Sequence, residues 1–213
     1  CYSENGKMIF YSFSSQHFDT ECTNPFVPST MSWPATISRK NQECLKKELQ
    51  RLLSILHLGT SIYNIETRVA DDGKPYIMEC TPRGGGNRLC EMLRYATGVD
   101  MIDAMVQYAI GEPISNQQLS ISNCKSRQAI YTGHWAEVIL HADKDGVFDS
   151  LEIANTLPAE VVERDLWVEK GDRVEAFNGA NNAIGTLVLR FTDKEQMEYA
   201  VTHQSEWLKV VVK

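Results

Sequence analysis

Apolar and polar positions along the chain switch between two periods, and the switches predict most of its elements. Residues 7–13 (KMIFYSF) read as a strand after the turn residues Glu4, Asn5 and Gly6. Over 39–58, Leu45, Leu49, Leu52, Leu53 and Leu56 recur at helical spacing. That stripe predicts an amphipathic helix with Ser38 as N-cap and Gly59 as its stop. Residues 62–82 read as a hairpin, 87–97 as a helix with Leu89, Met92, Leu93 and Ala96 inward and Gly98 beyond its end. A further helix over 100–110 has Asp100 as cap and Ile102, Met105, Val106 and Ala109 inward, with Gly111 and Pro113 ending it. After a weakly patterned polar stretch at 114–125 the texture becomes mainly β, with strands expected over 128–141 (bent at Gly133), 147–153, 161–168, 185–191 and 208–212. One helix, 194–205, stands among them, capped by Asp193 with Gln196 at the capping-box position.

The expected fold class is therefore α+β. Residues 1–115 form an antiparallel sheet covered by helices, and 126–213 form a smaller, mainly β domain with one helix. Residues 14–36 carry Pro25, Pro28 and Pro34 and read as a functional or covering loop, with Gln16, His17, Asp19 and Trp33 as candidate ligand contacts.

Composition narrows the partners. The 213 residues are 43% hydrophobic and 23% charged, ordinary for a globular protein, and the formal net charge is -7. Without a basic stripe, nucleic acid is a poor partner; without a long apolar run or a signal-peptide pattern, a membrane is another. The six cysteines show neither a C-x-x-C pair nor zinc spacing and read as reduced, buried thiols in a cytoplasmic protein. His57, His134 and His141 read as structural. The chain opens on Cys1 rather than Met, as a fragment of a longer polypeptide would.

The chemistry concentrates at 63–88, YNIETRVADDGKPYIMECTPRGGGNR. Asp72-Gly73 suits a two-residue type I′ turn, and that turn places Glu66 opposite Glu79, Asn64 opposite Thr81 and Ile62 opposite Arg83. Period-2 alternation puts Asn64, Glu66, Arg68, Ile77, Glu79, Thr81 and Arg83 on one face, and Tyr63, Ile65, Val69, Tyr76, Met78 and Cys80 on a core face. Opposed carboxylates repel, so a cation is expected between them: either Arg68 and Arg83, or a divalent metal such as Mg²⁺, which takes one or two carboxylates. Gly84, Gly85 and Gly86 then lack Cβ atoms ahead of a helix start, an arrangement that lets backbone N–H groups approach an anion; a plain connector is the alternative. Arg83 adds a fork suited to phosphate or carboxylate.

The pattern N-x-E-x-R, then D-G-K-x-Y-I-x-E-x-x-P-R-x-G-G, then a helix ending T-G-V-D resembles the C-terminal half of the ATP-grasp superfamily. The resemblance is to its carboxylate–amine ligases: carbamoyl-phosphate-synthase-like proteins, amino-acid ligases and biotin-carboxylase relatives. The tail D-x-W-V-x-K-G-D-x-V with G-T-L-V-L-R-F resembles their small C-terminal domain. The resemblance implies ATP and Mg²⁺ as cofactors, and a carboxylate activated as acyl phosphate before an amine displaces phosphate. It implies Glu66 and Glu79 as magnesium ligands, Arg83 on the γ-phosphate or substrate carboxylate, and the 84–86 loop around the acyl phosphate. Arg88 is a further candidate for a substrate carboxylate.

Thr81 stands where the family has a metal-binding Asn, and Asn64 across the hairpin is the candidate replacement. The nucleotide-gripping lysines and glycine-rich hairpin are absent from these residues, so the partners implied are the N-terminal lobes of the same polypeptide and small carboxylate and amine substrates. Oligomerisation is common in the family. A degenerate, non-catalytic binding module is the alternative; a two-metal hydrolase needs more inward carboxylates or histidines than this face offers.

Overall fold

The computed structural model describes residues 1–112 and 126–213; the stretch expected to be the domain boundary, 114–125, lies outside the described residues. The chain begins with strands β1 (Tyr2–Glu4), β2 (Lys7–Tyr11), β3 (Ser15–Phe18) and β4 (Pro28–Trp33). Helix α1 (Arg39–Ile55) leads to β5 (Ser61–Ile62) and to the hairpin β6 (Asn64–Val69) and β7 (Pro75–Thr81). Helices α2 (Leu89–Thr97) and α3 (Met101–Ala109) follow, then β8 (Arg127–Gln128) and β9 (His134–Leu140). The remaining elements are β10 (Gly146–Ile153), β11 (Glu160–Leu166), β12 (Arg173–Val174), β13 (Gly185–Phe191), α4 (Lys194–Thr202) and β14 (Leu208–Val212).

These elements sort into two compact units that interleave along the chain. One takes Cys1–Phe13 and Thr36–Thr132; the other takes Ser14–Ala35 and Gly133–Lys213. A division into 1–115 and 126–213 therefore misassigns two pieces, 14–35 and the residues up to 132.

In the first unit β5, β1, β2 and β8 form a sheet, antiparallel except for the short β2–β8 pair. Its core gathers Tyr2, Phe10, Ile62, Val99, Met101 and Ala104. Helix α1 buries Leu45, Leu49 and Leu53, and its Ser38 cap accepts from the Asn41 amide at 3.2 Å. The helix stops before Gly59. The His57 amide donates to the Ser54 carbonyl and the Leu58 amide to the Leu53 carbonyl, a Schellman closure with His57 in the left-handed position that glycine usually fills. Helix α3 starts at the expected cap, Asp100, but buries Met101 and Ala104. Ile102 and Val106, expected inward, are more than half exposed. The stretch 128–141 is two strands in two units: Arg127–Gln128 pairs with β2, and Gly133, at φ +118°, separates it from β9.

The second unit has a five-stranded antiparallel sheet in the order β11-β13-β9-β4-β3, and a three-stranded sheet β12-β10-β14. Ser14–Ala35 is thus two strands joined by a connection rather than one long loop. Its two strands extend the sheet, with Thr30 opposite Val138 and Trp33 opposite Trp135. The polar residues that disguised β4 are buried and bonded within the unit: His17 Nε2 meets Ser32 Oγ at 2.8 Å, and Gln204 Nε2 donates to Thr30 Oγ1 at 2.7 Å. Small hydroxyl residues with satisfied hydrogen bonds pass through a core that lone polar groups cannot enter. Trp33 is buried, so it serves this core. Behind the sheet α4, capped by Asp193 as expected, packs Met197, Ala200 and Val201 against Leu187, Leu189 and Phe191.

Leu187 sits on β13, between β11 and β9, with no exposed surface. Leu187→Ala is expected to lower the stability of this unit by about 2–5 kcal/mol. Urea unfolding followed by tryptophan fluorescence checks it, because Trp33, Trp135, Trp167 and Trp207 all lie in this unit.

Candidate functional site

The β6–β7 hairpin places the site residues, by a route that differs from the expected one. Its turn is a three-residue loop: the Gly73 amide donates to the Ala70 carbonyl at 2.8 Å, and the Ala70 amide to the Lys74 carbonyl at 2.9 Å. Gly73 has φ +76° while Asp71 and Asp72 keep ordinary φ, a type I turn closed by a left-handed glycine rather than a type I′ turn. That loop shifts the register by one residue, and a β-bulge shifts it back. Arg68 faces Tyr76 and Thr67 faces Ile77; then Met78 is skipped and Glu66 faces Glu79. Asn64 faces Thr81, as expected.

The bulge redistributes the faces. Tyr76, expected inside, joins the side of Arg68 and is 51% exposed; Ile77 crosses to the side of Ile65 and Cys80; Met78 projects at 61% exposure. Ile62 is not opposite Arg83: it belongs to β5 and pairs with Tyr2 of β1.

Neither Glu66 nor Glu79 has an ion pair or a side-chain hydrogen bond among the described residues. Arg83, one expected counter-charge, instead donates from Nη1 to the Gly84 carbonyl at 2.7 Å. Arg68 is exposed and bridges to neither glutamate. The sheet face therefore presents two opposed, uncompensated carboxylates with oxygen donors beside them, and that donor chemistry suits a hard divalent cation. The Thr81 hydroxyl donates to the Asn64 carbonyl at 3.2 Å, tying the two strands two pairs along, at the next pair on the same face.

The glycine loop is held tightly at two of its three positions. A Cβ on Gly85 would come within 2.2 Å of Leu89 Cδ1 and 3.0 Å of Asn64 Oδ1; one on Gly84 would meet Cys90 Sγ at 2.8 Å. Gly86 has open space around its Cβ position. The Asn64 amide oxygen thus lies against the backbone of the loop, on the face that carries the glutamates. Helix α2 begins at Leu89, two residues later than expected, because Asn87 and Arg88 both have positive φ. Arg88 is largely buried, and its Nε donates to Glu91 on the same helix. Of the other candidates, Gln16, His17, Asp19 and Trp33 belong to the second unit. Burial lowers the pKa of His17. Burial also raises the thiol pKa of Cys22, Cys80 and Cys90, keeping them protonated, while Cys44 is exposed rather than buried.

The bulge at Met78 and the three-residue turn escaped sequence reasoning. Their two one-residue shifts cancel at the glutamates, so period-2 counting reached the right pair there and the wrong faces between there and the turn.

No family model matches this sequence. The uncharacterized protein y4rH of Sinorhizobium fredii (strain NBRC 101917 / NGR234) is 30% identical over 166 residues, covering 76% of this chain and 32% of that protein. Among solved structures, phosphoribosylglycinamide synthetase from Anaerococcus prevotii matches all of this chain over 52% of its own, with a TM-score of 0.75 and 19% identity. The L-amino acid ligase from Bacillus licheniformis matches 90% of this chain over 46% of its own (TM-score 0.69, 17% identity). The biotin carboxylase domain of Hydrogenobacter thermophilus 2-oxoglutarate carboxylase, solved with MgADP and bicarbonate, matches 92% over 42% (TM-score 0.58, 16% identity). The chain spans about a third of the curated relative and about half of these structures. Over that length the chain has the fold of the ATP-grasp ligases.

Proposed function

We propose that this chain is part of an ATP- and Mg²⁺-dependent ligase that activates a carboxylate as an acyl phosphate and joins it to an amine. The observation that carries the reading is the facing of Glu66 and Glu79 without a counter-charge among the described residues. It is supported by the fold likeness to a synthetase, an amino acid ligase and a biotin carboxylase domain, the last solved with MgADP.

In this reading Glu66 and Glu79 hold the metal, which when bound offsets the negative charge of the transferring phosphoryl group. Asn64 contributes its amide oxygen where Thr81 has only a hydroxyl already donated to a carbonyl. Arg83, exposed at the end of β7, swings from the Gly84 carbonyl to bind phosphate or carboxylate through its fork. Gly84, Gly85 and Gly86 present backbone N–H groups to the acyl phosphate, and Arg88 shapes the loop through Glu91. The nucleotide grip comes from N-terminal lobes of the same polypeptide, and the substrates are small carboxylates and amines in the cytoplasm. Among the described residues no helix is long and apolar enough to cross a membrane. A second reading, a non-catalytic binding or scaffolding module, draws on the engaged Thr81 hydroxyl.

Three measurements test these readings. Calorimetry of the 213-residue chain with ATP and Mg²⁺ is expected to show no sub-micromolar binding. In the polypeptide that joins this chain to its nucleotide-gripping lobes, Glu79→Gln is expected to cut ATP-dependent phosphate release, in a pool of amino acids, by about 100-fold or more. Undiminished release would remove Glu79 from the site, and no release by the unaltered polypeptide would favour the non-catalytic module. For the loop, Gly85→Ala is expected to destabilise the chain by about 1–3 kcal/mol in chemical denaturation followed by circular dichroism, since Leu89 and Asn64 must move. Gly86→Ala should stay within about 0.5 kcal/mol.

A further inference from the structure

The second unit holds a cluster that belongs to none of this chemistry. Asp19, just after β3, His141, just after β9, and Asp143 bring one ligand atom each to within 4.8 Å of one another. His141 is 9% exposed, and its ring stacks on Phe177 with centroids 4.2 Å apart. Its Nδ1 lies 2.7 Å from the Ile139 carbonyl oxygen, and its Nε2 lies 3.0 Å from Asp19 Oδ2. A carbonyl only accepts, so Nδ1 carries a proton. Nε2 faces the Asp19 carboxylate, which also only accepts, so this contact is satisfied by a second ring proton or by a cation that both groups ligate. A second carboxylate, Asp143, stands alongside.

The surroundings hold this arrangement in place. Asp19 Oδ1 accepts from the Glu21 amide at 2.9 Å, which turns Oδ2 toward the ring. Lys209 lines the same cavity of about 270 Å³ yet forms no ion pair with either aspartate among the described residues. A backbone carbonyl on one imidazole nitrogen is the usual means of orienting the other toward a metal. At zinc–ligand distances of about 2.0–2.2 Å, neighbouring ligand atoms sit roughly 3.0–3.5 Å apart. The Asp19–His141 pair already has that spacing, and Asp143 is exposed and free to close in. One imidazole with two carboxylates suits a borderline ion, whereas calcium and magnesium favour six or more oxygen ligands.

We propose that Asp19, His141 and Asp143 bind a divalent transition-metal ion of the zinc class. The remaining coordination position faces the cavity and takes water or a small anion. The ion clips the β3–β4 hairpin to the end of β9, two segments 122 residues apart in the chain. This site is independent of the glutamate pair on β6 and β7.

The test uses the 213-residue chain stripped of metal by a chelator and titrated with ZnCl₂, then with CoCl₂ as a spectroscopic reporter. One equivalent of zinc is expected to bind with a dissociation constant of about 1 μM or tighter, and to raise the thermal midpoint read by tryptophan fluorescence. The cobalt spectrum should show nitrogen and oxygen ligation without thiolate charge transfer. Asp143→Asn, at an exposed loop position, should leave the metal-free midpoint unchanged and weaken zinc binding at least tenfold, and His141→Gln should abolish it. Glu79→Gln should leave zinc affinity as it was, which separates this site from the magnesium site proposed above. Absence of zinc binding at about 100 μM, zinc binding undiminished in both the Asp143 and His141 variants, or a thiolate band in the cobalt spectrum would overturn the assignment.

Discussion

Two carboxylates facing each other across an antiparallel pair cost the free chain stability. Like charges directly opposed on a sheet are unfavourable by about 0.2–1 kcal/mol, and here no arginine relieves them. The first unit is arranged so that this pair persists. The three-residue turn and the bulge at Met78 set the register, and the Thr81 hydroxyl ties it two pairs along. Helix α1 packs against β7 and gives an otherwise isolated hairpin the cover that two strands need. The close packing of Gly85 on Leu89 and Asn64 then draws the loop toward the glutamates. Each contact is modest, and together they hold charge where a cation relieves it.

What the sequence disclosed depended on the range of the interaction. Caps were legible, because a cap is a contact between residues two or three apart: Ser38, Asp100 and Asp193 all hold the helix starts read from them. The opposed glutamates were legible because a hairpin is local. The β3 and β4 strands were not, since their burial depends on β9, more than a hundred residues on, and on hydroxyls bonded to His17 and Gln204. The buried face of α3 was misread for a related reason: several of its faces are apolar, and only tertiary packing decides that Met101 and Ala104 go inward.

The histidines show the same limit from the chemical side. Strand periodicity describes His141 as one more buried position. Its chemistry appears only when Asp19 arrives from the distant hairpin and supplies a second acceptor. Spacing rules for metal ligands work within short motifs, and no short motif joins residues on separate strands of a discontinuous unit.

The interleaving of the two units also bears on how the chain is made. As the chain leaves the ribosome, β3 and β4 appear before Thr36–Thr132, the larger part of the first unit, while β9, the strand that β4 must pair with, comes after it. Ser29 and Ser32 find a partner in His17 within the hairpin, Thr30 has water until Gln204 emerges, and these hydroxyls make the waiting hairpin soluble in a way that an all-apolar strand of the same length would not be. The polar character that hid β4 from pattern reading thus keeps a strand without its sheet from seeking another one.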